Sequence, residues 1–220
     1  MPELVFGVAL RASPNRLSSV VCLGGEEKPK LCWVKTFTED RELLSIVDRW
    51  EPQLIAVGDP LTLPSGLHCL ESTCPCVPYS NQKGRQAERE LAELRLSTFF
   101  TMKESVIKPL IYRGVRLGIQ LGARAKVIEV SPPATAVLLF GDEVPRRRAP
   151  KKRVRFLKDA FSEEIEGMAD WDQVIDQWVC QALLAAFTAW LHVHNQTDAV
   201  GDAREGQIMV PRGKIISVAR

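Results

Sequence analysis

Three short runs of apolar and β-branched residues open the chain, at 3–10, 18–24 and 31–37. Turn formers separate them: Ser13-Pro14-Asn15 in the first gap, then Gly24-Gly25 through Pro29 in the second. Short apolar runs bounded by turn residues predict antiparallel strands joined as hairpins. The period then changes. Leu43, Leu44, Val47 and Trp50 recur at helical spacing and predict a helix over 39–50. A buried strand follows at 54–57 (LIAV), entering the turn Gly58-Asp59-Pro60.

Residues 61–82 are loop-like, rich in Pro and Ser, and hold a cysteine cluster. Helices are predicted over 84–96 and 103–123, with Pro109 kinking the second or marking a new first turn. A strand at 126–131 (KVIEVS) leads to Ser131-Pro132, which has N-cap and first-turn chemistry. Further helices are expected over 151–165 and 171–194, then a short strand at 207–211. Strands interleaved with helices imply an α/β fold whose mixed sheet is covered on both faces. The expected frame is five-stranded: three antiparallel meander strands plus two further strands, flanked by helices.

The chain has 220 residues, 45% apolar and 25% charged, which suits one folded domain with a sizeable core. The N-terminal segment has no basic leader or small-residue cleavage site, so it reads as a strand and not as a signal peptide. The longest uncharged stretch, Gln177 to Thr197, is interrupted by Gln, His and Asn and reads as a buried helix, not a membrane span. The expected location is the cytoplasm. Net charge is +2, yet seven of the ten residues from Arg146 to Arg155 are basic and none is acidic. The remainder carries 22 basic against 27 acidic residues. Arg146, Arg147, Arg148, Lys151, Lys152 and Arg153 are therefore the candidate contacts to nucleic-acid phosphates. The bland alternative is a solvated loop and helix face.

Several segments, in order, resemble a widespread family of predicted nucleases with a ribonuclease H-like fold, the domain-of-unknown-function family 429. They are GVALRASP (7–14), IAVGDPLTLPSG (55–66), GRQAERELAELRLSTFF (84–100), VIEVSPPATAVLLFG (127–141), CQALLAAFTAWLH (180–192) and GDAREGQIMVP (201–211). The resemblance implies one ribonuclease H-like domain over 1–220. It also implies a magnesium- or manganese-dependent phosphodiester hydrolase in which acids from the first strand, the fourth strand and the last helix hold two ions. Magnesium prefers hard oxygen ligands, and a pair of ions can hold both the attacking and the leaving oxygen.

This sequence departs from that pattern. Ala9 stands where the first-strand aspartate belongs, Gly58 where the fourth-strand acid belongs, and Gln181 in the last-helix register. The fourth-strand carboxylate is displaced to Asp59, which in a strand turns it to the opposite face. Asp176 precedes Gln181 by five residues, about 140° away around a helix, so it cannot take over that direction. Glu88 and Glu129 match acidic family positions. The candidate catalytic set is Asp59, Glu88 and Glu129, with Asp59 and Glu129 as metal ligands. The other expectation is a catalytically inactive module that binds nucleic acid or protein.

His68, Cys69, Cys74 and Cys76 offer soft ligands suited to zinc. Their spacing is not a standard zinc-ribbon pattern, and the expectation is reduced loop thiols in preference to structural zinc. Cys22, Cys32 and Cys180 sit in apolar runs and read as small hydrophobes. His192 and His194 read as partners of a helix C-terminus, and the five tryptophans as core. No phosphate-cradling Gly-Lys loop, nucleophile elbow or dinucleotide fingerprint is present.

Overall fold

A computed structural model describes residues 4–13, 15–96, 98–145, 148–169, 171 and 175–213. The opening meander is formed by β1 (Val5–Ala9), β2 (Ser18–Gly24) and β3 (Lys30–Phe37), paired antiparallel as the turn residues predict. Helix α1 (Asp40–Trp50) leads to β4 (Leu54–Val57), which returns to lie parallel beside β1. After a long loop come α2 (Gln86–Glu93), α3 (Lys108–Gly122) and β5 (Lys126–Val130), parallel to β4. Pro109 lies in the first turn of α3, where its missing N–H costs nothing. Helices α4 (Pro132–Phe140), α5 (Pro150–Glu164) and α6 (Gln177–Val193) precede the closing strands β6 (Thr197–Val200) and β7 (Ile208–Pro211).

The sheet is therefore mixed, with order β3-β2-β1-β4-β5-β7-β6. It has seven strands, not the five expected. β7 joins β5 in parallel, and β6 then pairs antiparallel with β7 to form the edge. β6 was missed because its four residues, Thr-Asp-Ala-Val, are all at least partly exposed and carry no apolar alternation. The last helix begins at Gln177 and not at 171, because Asp176 is its N-cap and accepts the N–H groups of Trp178 and Val179.

Alternation along the strands divides the core in two. Val5, Ala9, Leu54, Ala56, Ile128 and Val130 face the cluster built on α4, α5 and α6. Phe6, Val8, Leu10, Ile55 and Val57 face the cluster that includes residues of α1 and α3. Helix α6 lies directly on β1. A Cβ at Gly7 would stand 2.0 Å from the backbone nitrogen of Ala186, so only glycine admits this approach. Cys22 and Cys180 are buried as expected, but Cys32 is exposed near the start of β3. Trp190 is buried, while Trp33, Trp50, Trp171 and Trp178 are only partly so. Among the described residues no helix is long and apolar enough to cross a membrane.

Candidate functional site

Strands β1, β4 and β5 run parallel, so their carboxyl ends emerge together, the usual ligand edge of an open α/β sheet. A cleft of about 310 Å³ opens there, and Asp59, Glu88 and Glu129 all line it. The three carboxylates picked from sequence thus share one cavity wall.

Register decides which way each side chain points. Val8, Val57 and Glu129 lie side by side across the three strands, so Glu129 projects to the α3 side. Asp59, two residues past Val57, continues on that side, and its Oδ2 accepts the N–H of Leu10 at 2.8 Å. Ala9, next to Val8, lies on the opposite face, toward α6. Gly58, next to Val57, shares that face. The row that would carry a first-strand and a fourth-strand acid thus holds Ala9 and Gly58, with Gln181 of α6 also lining the cleft. Gly58 has no room for a longer residue: a Cβ there would meet Pro132 Cγ at 2.7 Å.

The carboxylates that remain are bound by the protein itself. Arg85, the residue before α2, is fully buried and enters between Glu88 and Glu129. Its Nη1 donates to Glu129 Oε2 at 2.7 Å while Nη2 donates to Oε1 of the same carboxylate. Its Nε donates to Glu88 Oε1 at 3.0 Å and Nη1 also reaches Thr62 Oγ1 at 2.7 Å. Glu129 Oε2 further accepts the N–H of Leu61 at 2.8 Å. Glu88 Oε2 accepts the backbone N–H groups of Arg85 and Thr101, and its Oε1 accepts the Thr101 hydroxyl. Flanking carboxylates hold the guanidinium firmly charged against the desolvation that opposes it. The planar fork of arginine suits this bidentate geometry, which lysine cannot copy.

Asp59 is affected differently. Burial pushes its carboxyl up to about 7, the Leu10 N–H opposes that rise, and the nearby Glu129 charge adds to it.

Magnesium is held by one or two carboxylates whose oxygens are free to face it, with water and substrate oxygens completing the shell. Here one guanidinium already pairs with two of the three acids and takes up oxygens an ion would need. Among the described residues Asp59, Glu88 and Glu129 form no cation-ligand group; the one such group is His68, Cys69, Cys74 and Cys76. The cleft's oxygen donors do not fit a magnesium or manganese pair. Asp176 is likewise engaged, capping α6.

Of the basic segment, Arg146 and Arg147 lie outside the described residues. Arg148, Lys151 and Lys152 are exposed, and Pro150 and Arg153 line the cleft at the N-terminal turn of α5. The positive end of that helix and Arg153 therefore line the cavity, an arrangement suited to anions. Trp178 and Phe99 add aromatic surface to the lining, and the Arg11 guanidinium stacks over the Trp178 ring at 4.1 Å. At the far end of α6, His194 Nδ1 donates to the Trp190 carbonyl at 2.7 Å, a C-terminal role as expected.

Sequence reasoning overlooked Arg85. Its signal was faint: it stands three residues before Glu88, whose carboxylate accepts the Arg85 backbone N–H as in one half of a capping box. Glu205 was also overlooked. Its carboxylate accepts the N–H groups of Ser65 and Gln86, tying the 201–211 segment to the loop beneath the cleft.

No family model and no curated protein matches this chain. Among solved structures it is similar to Thermus thermophilus RuvC, with a TM-score of 0.46 and 13% identity over 87% of this chain and 96% of that one. T. thermophilus RuvC in complex with Holliday junction substrate gives 0.47 and 12% over the same shares. Similarity at this level assigns no family.

Proposed function

We propose that this protein is a ribonuclease H-like module that binds nucleic acid at the cleft without hydrolysing it. One observation carries the reading: a buried arginine, Arg85, stands between Glu88 and Glu129 and hydrogen-bonds both. Among the described residues the face opposite them presents Ala9 and Gly58 in place of acids. The element order, a three-strand meander, a helix, a fourth strand, helices and a fifth strand, supports the ribonuclease H-like assignment. The basic rim at the start of α5, next to aromatic surface, supports nucleic acid as the ligand.

A competing reading is a divalent-metal-dependent phosphodiesterase using Asp59, Glu88 and Glu129. It is favoured by the fact that all three line the same cleft, but it requires Arg85 to withdraw. The test is direct. The full chain is titrated with labelled single-stranded, duplex and hybrid oligonucleotides at several salt concentrations, then incubated with them in magnesium or manganese. Salt-sensitive binding with intact substrate supports the proposal; absence of binding at low salt overturns it.

A further inference from the structure

Between β4 and α2 the chain runs from Gly58 to Arg85 without helix or strand. A structureless connection of that length inside a packed domain needs some other constraint. Part of it closes on itself. Tyr79 N–H donates to the Ser65 carbonyl at 2.8 Å, and a Cβ at Gly66, whose φ is +91°, would strike the Val77 carbonyl oxygen at 2.4 Å. The ends of the 66–78 segment are therefore pressed together, as in an Ω-loop. Inside it only Leu70 offers a fully buried apolar side chain. One leucine is a meagre core.

Four other side chains converge in its place. His68, Cys69, Cys74 and Cys76 each direct a ligand atom to one spot, all within 4.8 Å of one another. The Sγ atoms of Cys69 and Cys76 are 3.9 Å apart, and Cys74 Sγ lies 3.6 Å from His68 Nε2. Zinc bond lengths in a regular tetrahedron require edges of about 3.8 Å between two sulfurs and about 3.6 Å between sulfur and nitrogen. Both pairs match. A disulfide explains neither, because bonded sulfurs sit at about 2.05 Å. Within the tight Cys74-x-Cys76 pair, the Cys74 sulfur sits beside His68 and the Cys76 sulfur beside Cys69.

We propose that His68, Cys69, Cys74 and Cys76 form a structural zinc site that clamps the 66–78 loop. Three thiolates and one imidazole close the tetrahedron, leaving no open position for water, which makes the site structural and not catalytic. The clamp is fastened to the rest of the fold. Tyr112 of α3 accepts the Leu70 N–H at 2.6 Å and donates to Glu71 Oε1 at 3.0 Å, while Lys108 pairs with Glu71 Oε2 at 2.6 Å. Lys103 donates to the Cys74 carbonyl. The loop also leads into Arg85, so holding it fixes the approach to the cleft.

The test uses the full chain, purified without added metal or chelator, and elemental analysis. About one zinc per chain is expected, falling severalfold in Cys74→Ser and Cys76→Ser and unchanged in Cys32→Ser. Since the first two variants can fail to fold, cobalt is exchanged into the unaltered protein as a second measurement. Intense tetrahedral d–d absorption with thiolate-to-cobalt charge transfer is expected. Less than about a tenth of an equivalent of zinc, a weak octahedral cobalt spectrum, or zinc retained in folded Cys74→Ser overturns the proposal. So does a Cys69–Cys76 disulfide found under non-reducing conditions. None of these readouts depends on nucleic-acid binding.

Discussion

Arg85 grips Glu129 with both terminal nitrogens, Nη1 on Oε2 and Nη2 on Oε1, and the two side chains are 1% and 6% exposed. A pair so removed from water depends on both partners. Removing either leaves an uncompensated charge in a low-dielectric site. Arg85→Met should therefore destabilise the protein by about 3–5 kcal/mol, and Arg85→Lys should recover only part of the loss because it lacks the fork. Urea denaturation with a comparison of midpoints checks this. Wild-type stability in Arg85→Met would show that the pair contributes nothing.

Asp59 makes stability depend on pH in a definite direction. Its carboxyl is raised to about 7 in the folded chain from an ordinary value of 3.8. Between those values the native state holds the proton more tightly than the unfolded chain does. This favourable contribution is complete below about pH 4 and is lost as pH climbs through 7. Asp59→Asn removes the titration while still able to accept the Leu10 N–H. The variant should gain ~1–3 kcal/mol relative to wild type at pH 8, with the difference shrinking toward pH 5. Thermal melts across that range would show it; a difference that does not vary with pH would contradict it.

Gly7 tests how α6 is seated. With a Cβ 2.0 Å from the Ala186 nitrogen, Gly7→Ala must separate helix from strand. A loss on the order of 4 kcal/mol or more is expected, read by circular dichroism on denaturation. A fully stable Gly7→Ala would mean that α6 does not rest on β1 in this way.

The basic rim predicts a salt dependence. Replacing Arg148, Lys151 and Lys152 by alanine should leave the melting temperature almost unchanged, since all three are exposed. It should lower nucleic-acid affinity and make the slope of log K against log salt shallower by about 2 to 3. Unchanged affinity and slope would remove α5 from the interface.

Much of the frame was legible because apolar periodicity and turn residues are local signals. LIAV at 54–57 and Ser131-Pro132 mark their elements to the residue. β6 was hidden because its residues are all at least partly exposed, and one packed residue, Val200, makes no alternation to read. The carboxylates of the cleft were legible as candidates, yet the pairing of Glu88 and Glu129 with Arg85 was not. Whether Arg85 faces water or Glu129 depends on the end of a loop meeting a strand 44 positions further along the chain. The His68 group was obscured for a similar reason. Its convergence follows from the closure at Gly66 and Val77, which linear spacing cannot express.

The most direct measurement is a nuclease assay on the full chain with labelled single-stranded, duplex and hybrid substrates across a magnesium and manganese titration. The account predicts that substrates are retained by the protein and recovered at full length at every metal concentration. Cleavage that rises with metal and disappears in Asp59→Asn would contradict it.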